Sequence, residues 1–213
     1  MRRGPWDRPV QRAVRLVVGL TLFGFSLALL LKAGLGLDPW NVFHQGVALH
    51  TGMTIGQATV VTSVVVLLLA WLALRVQPGL GTIANALIVG PVLDLGVAWI
   101  PEAPDRAWQV AFLVVAIVGT AVASGLYIGA GWGPGSRDGL MSGIAALGVP
   151  VFAARAGIEI TVLCVGWALG GVVGLGTALF AIAIGPLVHH ALLRLALPPA
   201  LPGAEPRAPR PTL

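Results

Sequence analysis

Charge is scarce in this sequence. Asp, Glu, Lys and Arg together make up 10% of its 213 residues, where a soluble globular domain carries about 25%. Against that scarcity stand 57% hydrophobic residues and a mean hydropathy of +0.91. A core built from so short a chain cannot hide that much apolar surface, so a water-soluble fold is excluded and lipid is the solvent of its helices. Cysteine is scarcer still. The single Cys164 excludes a disulfide framework and a cysteine-built metal cluster; within its apolar run it reads as a small buried apolar side chain. Enzyme signatures are missing as well. There is no H-E-x-x-H, G-x-S-x-G, Walker loop or Rossmann fingerprint, and His189-His190 lacks a surrounding metal motif. No enzymatic activity, cofactor or metal is expected.

What the chain does have is long apolar runs. Six stretches approach the roughly 20 residues that span a bilayer as a helix: 13–31, 55–74, 82–100, 108–128, 150–169 and 174–193. The first follows Arg2, Arg3, Arg8 and Arg12, carries Arg15 at its start and lacks an A-x-A cleavage site, so it reads as an uncleaved span. Between the first two spans, Asp38-Pro39 marks a helix start. Trp40, Phe43 and Val47 follow at helical spacing, with Asn41, His44 and Gln45 on a polar side. This predicts a short amphipathic helix, interfacial or re-entrant, whose His44 and His50 sit on a solvated face or, as the alternative, meet a solute. Ser136-Arg137-Asp138 followed by Leu140, Met141 and Ile144 predicts a second one between the fourth and fifth spans.

The chain also writes the same punctuation twice. GLGT occurs at 79–82 and at 174–177, and each copy is followed by Gly-Pro, Gly90-Pro91 and Gly185-Pro186. Upstream, Gly34 and Gly36 align with Gly131 and Gly133, Asn41 with Asp138, and Gly46 with Gly143. Each unit is span, short helix, span, span. Three spans are an odd number, so the second unit enters the membrane from the opposite side, the inverted-repeat plan of many secondary transporters. The expected fold is all-α: one transmembrane domain over 1–196, with repeat one at about 13–100 and repeat two at about 108–195. A disordered Pro-rich cytoplasmic tail follows over 197–213.

The two motifs have physical readings. The GLGT glycines permit positive backbone angles in a tight turn, and Thr82 and Thr177 can cap the helices they open. Pro91 and Pro186 each remove a helical hydrogen bond, so the helices can kink or bare backbone to a site. Close helix packing through the small faces Ala86-x-x-x-Gly90 and Ala181-x-x-x-Gly185 explains the same residues.

Ionisable groups within spans are functional candidates by default. Glu159 lies about 13 Å into the fifth span from the helical rise, with Arg155 four residues earlier on the same face. They form either a structural ion pair or part of a site. Asp94 and His189 each stand three residues beyond a Gly-Pro, which points to a proton or cation path, or to groups that merely reach water at the two faces. Asn85 and Ser63 read as polar packing residues. Trp40, Trp71, Trp99, Trp108 and Trp132 read as belt anchors at the membrane interfaces.

AGLGLDPWNVFHQGVALHTG, PGLGT, GLYIGAGWGPGSRDGLMSG, Arg155-x-x-x-Glu159 and GLGT…GP resemble the YczE branch of the YczE/YyaS/YitT bacterial integral membrane proteins. The resemblance runs from Arg15 to Leu195, and Gly133–Met141 is its most specific part. It implies a six-helix inner-membrane protein and supplies no substrate. Where the family pattern leads one to expect Asp after the Pro-Trp pair, this chain has Asn41; Asp138 keeps the acid in the second unit.

The basic ends put both termini in the cytoplasm. The expected function is that of a small secondary transporter or permease in the bacterial plasma membrane. Its site would lie between the repeats and draw on Glu159, Arg155, Asp94, His189, Asp138 and Asn41. The alternative is an accessory membrane protein acting through a partner protein. The expected partners are the lipid bilayer, a small-molecule or ion substrate and a second copy in a homodimer; nucleic acid is not among them.

Overall fold

A computed structural model describes residues 8–197. Arg2, Arg3 and the tail expected beyond 197 lie outside the described residues, apart from Leu197. Among the described residues there are eight helices and no strand: α1 Pro9–Ala33, α2 Pro39–Thr51, α3 Ile55–Leu72, α4 Leu80–Trp99, α5 Arg106–Gly129, α6 Ser136–Ala146, α7 Val151–Ala168 and α8 Leu175–Leu195. All but α2 and α6 are long and apolar enough to cross a membrane.

Local chemistry sets the boundaries. Pro9 and Pro39 open α1 and α2, and Gly34 and Gly52 close them with left-handed backbones. Thr54 and Gln57 form a capping box on α3, and the Asp105 carboxylate accepts the Trp108 N–H at the start of α5.

Lipid offers no hydrophobic drive between helices, so close backbone approach does the packing. The centre of the molecule is α1 against α5, with α4 laid on α1 and α8 on α5. Gly19 meets the backbone of Ala123 and Tyr127, Gly96 meets Ala28, and Gly125 meets Ala191. The short helices bridge across: α2 packs on α3 and α7, and α6 packs on the same two. At one end, Arg12 donates to the Ala130 carbonyl at 2.7 Å and Arg15 to the Leu195 carbonyl. These bonds tie the start of α1 to the ends of α5 and α8. At the other end Lys32 pairs with Glu102 at 2.7 Å.

Both GLGT segments are contact points rather than free turns. The Gly81 N–H donates to the Trp132 carbonyl and the Gly176 N–H to the Leu35 carbonyl, each at 2.7 Å. Each GLGT therefore docks on the glycine-rich approach of the other half. The expectation of positive backbone angles within GLGT is corrected. None of its glycines is left-handed; the positive φ values belong to Gly36 (107°) and Gly133 (117°) in the segments they dock on. The GLGT glycines are there for space. A Cβ on Gly79 would fall on the Trp132 carbonyl oxygen, and one on Gly174 on that of Leu35. Thr82 accepts the Gly79 N–H at 3.3 Å and donates to the Pro134 carbonyl at 2.7 Å. Thr177 accepts the Gly174 N–H at 3.2 Å.

The two Gly-Pro sites differ. Pro91 and Pro186 both lie inside continuous helices. Gly90 is pressed against the Gly56 backbone, so α4 packs on α3; Gly185 faces open space, and α7 and α8 make almost no contact with each other. Cys164 is also corrected. It is exposed on α7, because the outer face of a membrane helix is apolar without being buried in protein.

Candidate functional site

A cavity of about 150 Å³ lies at the centre, and every helix contributes to its wall. Phe23 comes from α1, Thr59 and Ser63 from α3, Asn85 from α4, Thr120 and Tyr127 from α5, and Phe180 from α8. The start of α2 supplies Asp38 and Trp40, α6 supplies Arg137 and Asp138, and α7 supplies Arg155 and Glu159. Trp40 and Ile158 also line an apolar groove between α3 and α7.

The charges are organised from the two short helices. Asp38 precedes α2 but makes no cap bond with its side chain. Its carboxylate accepts instead from the Asn41 amide and pairs with Arg137 at 3.6 Å. The Arg137 guanidinium lies 4.8 Å from the centre of the Trp40 ring, within cation–π range. Burial lowers the pKa of Arg137, and Asp38, the largest opposing influence, raises it. The guanidinium stays charged, since its ordinary value is far above neutrality.

Behind Asp38 the polar chain continues into the protein. Asn41 Oδ1 lies 3.4 Å from His44 Nδ1, which lies 2.9 Å from Thr59 Oγ1. The Thr59 hydroxyl donates to the Ile55 carbonyl at 2.8 Å. That leaves it an acceptor toward His44 and places the imidazole proton on Nδ1. His44 Nε2 has no hydrogen-bond partner. Burial, then the charge of Arg137, hold the His44 pKa well below its ordinary value, so it is neutral. The solvated face expected for His44 is thus corrected: His44 is fully buried and Asn41 nearly so. The polar side of α2 turns inward, toward charge and hydrogen bonds that lipid cannot offer. Trp40 is corrected with it, from belt anchor to cavity wall, whereas Trp71, Trp99 and Trp108 are exposed at helix ends.

Asp138 opens α6. Its carboxylate accepts the Gly135 N–H at 3.3 Å. Burial raises its pKa, and that hydrogen bond and the charges of Arg155 and Arg137 oppose the rise. Arg155 and Glu159 pair at 3.0 Å on α7 and remain partly exposed. The Thr120 hydroxyl is buried in the wall without a hydrogen-bond partner.

Of the residues expected at a site, Glu159, Arg155 and Asp138 line this cavity, and Asn41 supports it through Asp38. Asn85 and Ser63 line it as well. Asp94 and His189 do not. Asp94 accepts from the Gly56 N–H at 2.9 Å and from the Thr54 hydroxyl, at the start of α3. His189 is exposed beside His190 on α8, and no hydrogen bond or ion pair joins it to Asp94 among the described residues. Asp38, Trp40, Arg137 and Tyr127 also line it, and the sequence had not marked them as site residues. One signal was available: Trp40 and Arg137 immediately precede Asn41 and Asp138, so the alignment of the two halves pairs them.

Comparison with known proteins is consistent with this picture of a membrane protein. The model of a family of unknown function, DUF6198, matches residues 10–192. An uncharacterized protein of Haemophilus influenzae is 35% identical over 200 residues, covering 92% of this chain and 90% of that one. The uncharacterized membrane protein YczE of Bacillus subtilis is 30% identical over 176 residues, covering 82% of each. No solved structure matches.

Proposed function

The chain belongs to the YczE family of membrane proteins, matched by the family of unknown function DUF6198, and from that premise we propose that it is a small secondary transporter of a polar solute. The observation that carries the reading is the central cavity. Five charged side chains line it inside a molecule with six candidate spans, and intramembrane charges facing an internal cavity mark solute or ion pathways. We further propose that the two halves are inverted repeats and that both termini are cytoplasmic in a bacterial plasma membrane. The helix pairings support the repeat. The packing of α1 on α4 corresponds to that of α5 on α8, α2 on α7 to α6 on α3, and each GLGT docks on the opposite approach. The closed α3–α4 pair and the open α7–α8 pair then represent one of two states, and access alternates as one half rocks on the other.

The test is thermal stability of the purified protein across a solute and ion library, with wild type and Glu159→Gln, followed by flux of any hit in proteoliposomes. A solute at a hundredfold its Kd adds about 2.7 kcal/mol. A hit that the variant loses, with flux, supports transport. Binding without flux, together with co-purification of another membrane protein, favours the accessory reading. Reporters in the 34–52 and 131–148 segments that label from the same side overturn the inverted repeat.

A further inference from the structure

The five charges of the cavity do not balance. Arg137 is paired with Asp38 at 3.6 Å and Arg155 with Glu159 at 3.0 Å. Asp138 remains. It accepts a single backbone hydrogen bond, and no cationic side chain lies within ion-pair distance of it among the described residues. Asp138 is half-buried, and a carboxylate partly withdrawn from water without an ion-pair partner attracts a counter-ion or a proton.

The rest of the wall narrows what that counter-ion is. Phe23, Trp40, Tyr127 and Phe180 line the cavity. Phe23 and Tyr127 meet edge to face, with centroids 5.8 Å apart at 88°. Aromatic faces attract organic cations and ammonium groups, and Trp40 already holds the Arg137 guanidinium that way. The unpartnered Thr120 hydroxyl, only 2% exposed, supplies an independent hydrogen-bonding group in the same wall. A cavity of about 150 Å³ suits a small solute rather than a drug-sized one, whose pockets run to about 300–1,000 Å³.

We infer that the cavity binds a small solute carrying one ammonium group, with Asp138 as its counter-ion and the aromatic wall around it. This rests on the transporter reading for its purpose, but not for its chemistry. A proton competes with the ammonium for the same carboxylate. The charged groups facing Asp138 are Arg137 on its own helix, Asp38 before α2, and Arg155 and Glu159 on α7; Tyr127 faces it from α5. From α3 and α4 come only Thr59, Ser63 and Asn85, which do not titrate, together with apolar groups. The raised carboxyl pKa starts this competition at a higher pH than for an ordinary Asp.

The experiment is calorimetric titration of the full chain in detergent with ethylammonium, choline and tetramethylammonium. The neutral choline isostere 3,3-dimethylbutan-1-ol is the control. At least one ammonium binds and the alcohol does not. Asp138→Asn weakens that binding by about tenfold or more, as loss of a buried ion-pair partner does, and Asp138→Glu restores part of it. Should Asp138→Asn fail to fold, the wild type carries the test: apparent affinity falls toward about tenfold per pH unit below the carboxyl pKa. The inference is overturned if no ammonium binds, if the alcohol binds equally well, or if affinity is independent both of Asp138 and of pH. Ammonium binding without flux in proteoliposomes overturns the transporter reading alone. Flux of an anionic solute without ammonium binding overturns this inference alone.

Discussion

The guanidinium of Arg137 sits 4.8 Å from the centre of the Trp40 ring, and the two residues occupy matching places in the two halves of the chain. Arg137 also holds Asp38, whose side chain is only 3% exposed. The short helices α2 and α6, both too short to span, are thus joined at their starts by one charge cluster. Arg137→Gln leaves Asp38 buried without its counter-charge and lowers stability by about 3 kcal/mol, while adding Asp38→Asn recovers much of that loss. Melting of the four members of this cycle in detergent measures the coupling. Strictly additive losses sink the pairing.

Asp94 and Glu159 predict opposite phenotypes. Asp94 caps the start of α3 through Gly56 and Thr54, so Asp94→Asn costs about 1–2 kcal/mol with no dependence on solute. Glu159 pairs with Arg155 four residues away, the two side chains being 32% and 45% exposed. Such a pair contributes about 0.5 kcal/mol at most. Glu159→Gln therefore melts close to wild type and loses solute-dependent stabilisation. A variant that melts far earlier, with solute response intact, makes the pair structural.

The six spans were legible because a bilayer demands long apolar helices, and hydropathy reports that directly. Glu159, Arg155 and Asp138 were legible because charge is so rare here. Asp38 was not, because Asp-Pro before a helix reads as a cap, and only tertiary structure brings Arg137 close enough to redirect its carboxylate. The inward turn of His44 was hidden for a related reason: in a membrane protein the polar side of a short helix can face an internal cavity instead of water. The GLGT glycines were found by repetition, but whether a glycine serves a left-handed turn or a close approach depends on the segment it meets, here the glycine-rich approach in the other half of the chain.

His44 gives the protein an acid-sensitive stability. Its unfolded pKa is about 6.5 and its folded value lies well below that, first through burial and then through Arg137. Above pH 6.5 both states leave it neutral and the native state is unpenalised. As pH falls through 6.5 the unfolded chain takes up a proton that the native state refuses. Stability then drops by up to about 1.4 kcal/mol per pH unit until the folded pKa is reached. Melting at pH 7.5 and 5.5 measures this slope, and His44→Gln flattens it even if that variant is less stable throughout. An unchanged slope in the variant assigns the acid sensitivity elsewhere.

The glycines before the two internal prolines separate packing from motion. A Cβ at Gly90 would strike the Gly56 carbonyl, whereas one at Gly185 meets nothing within 4 Å. Gly90→Ala therefore destabilises by about 1–3 kcal/mol, the usual range for overpacking. Gly185→Ala is neutral or stabilising by up to about 1 kcal/mol, because it removes a flexible residue from a helix. The larger Gly185→Leu melts like wild type for the same reason. If α8 closes on α7 during turnover as α4 already lies on α3, that leucine blocks the closed state and flux stops in a protein that is folded and binds solute. Melting and flux measured on the same preparation decide it. A Gly185→Leu variant that transports at the wild-type rate means that α7 and α8 never close there, and access must alternate by another movement.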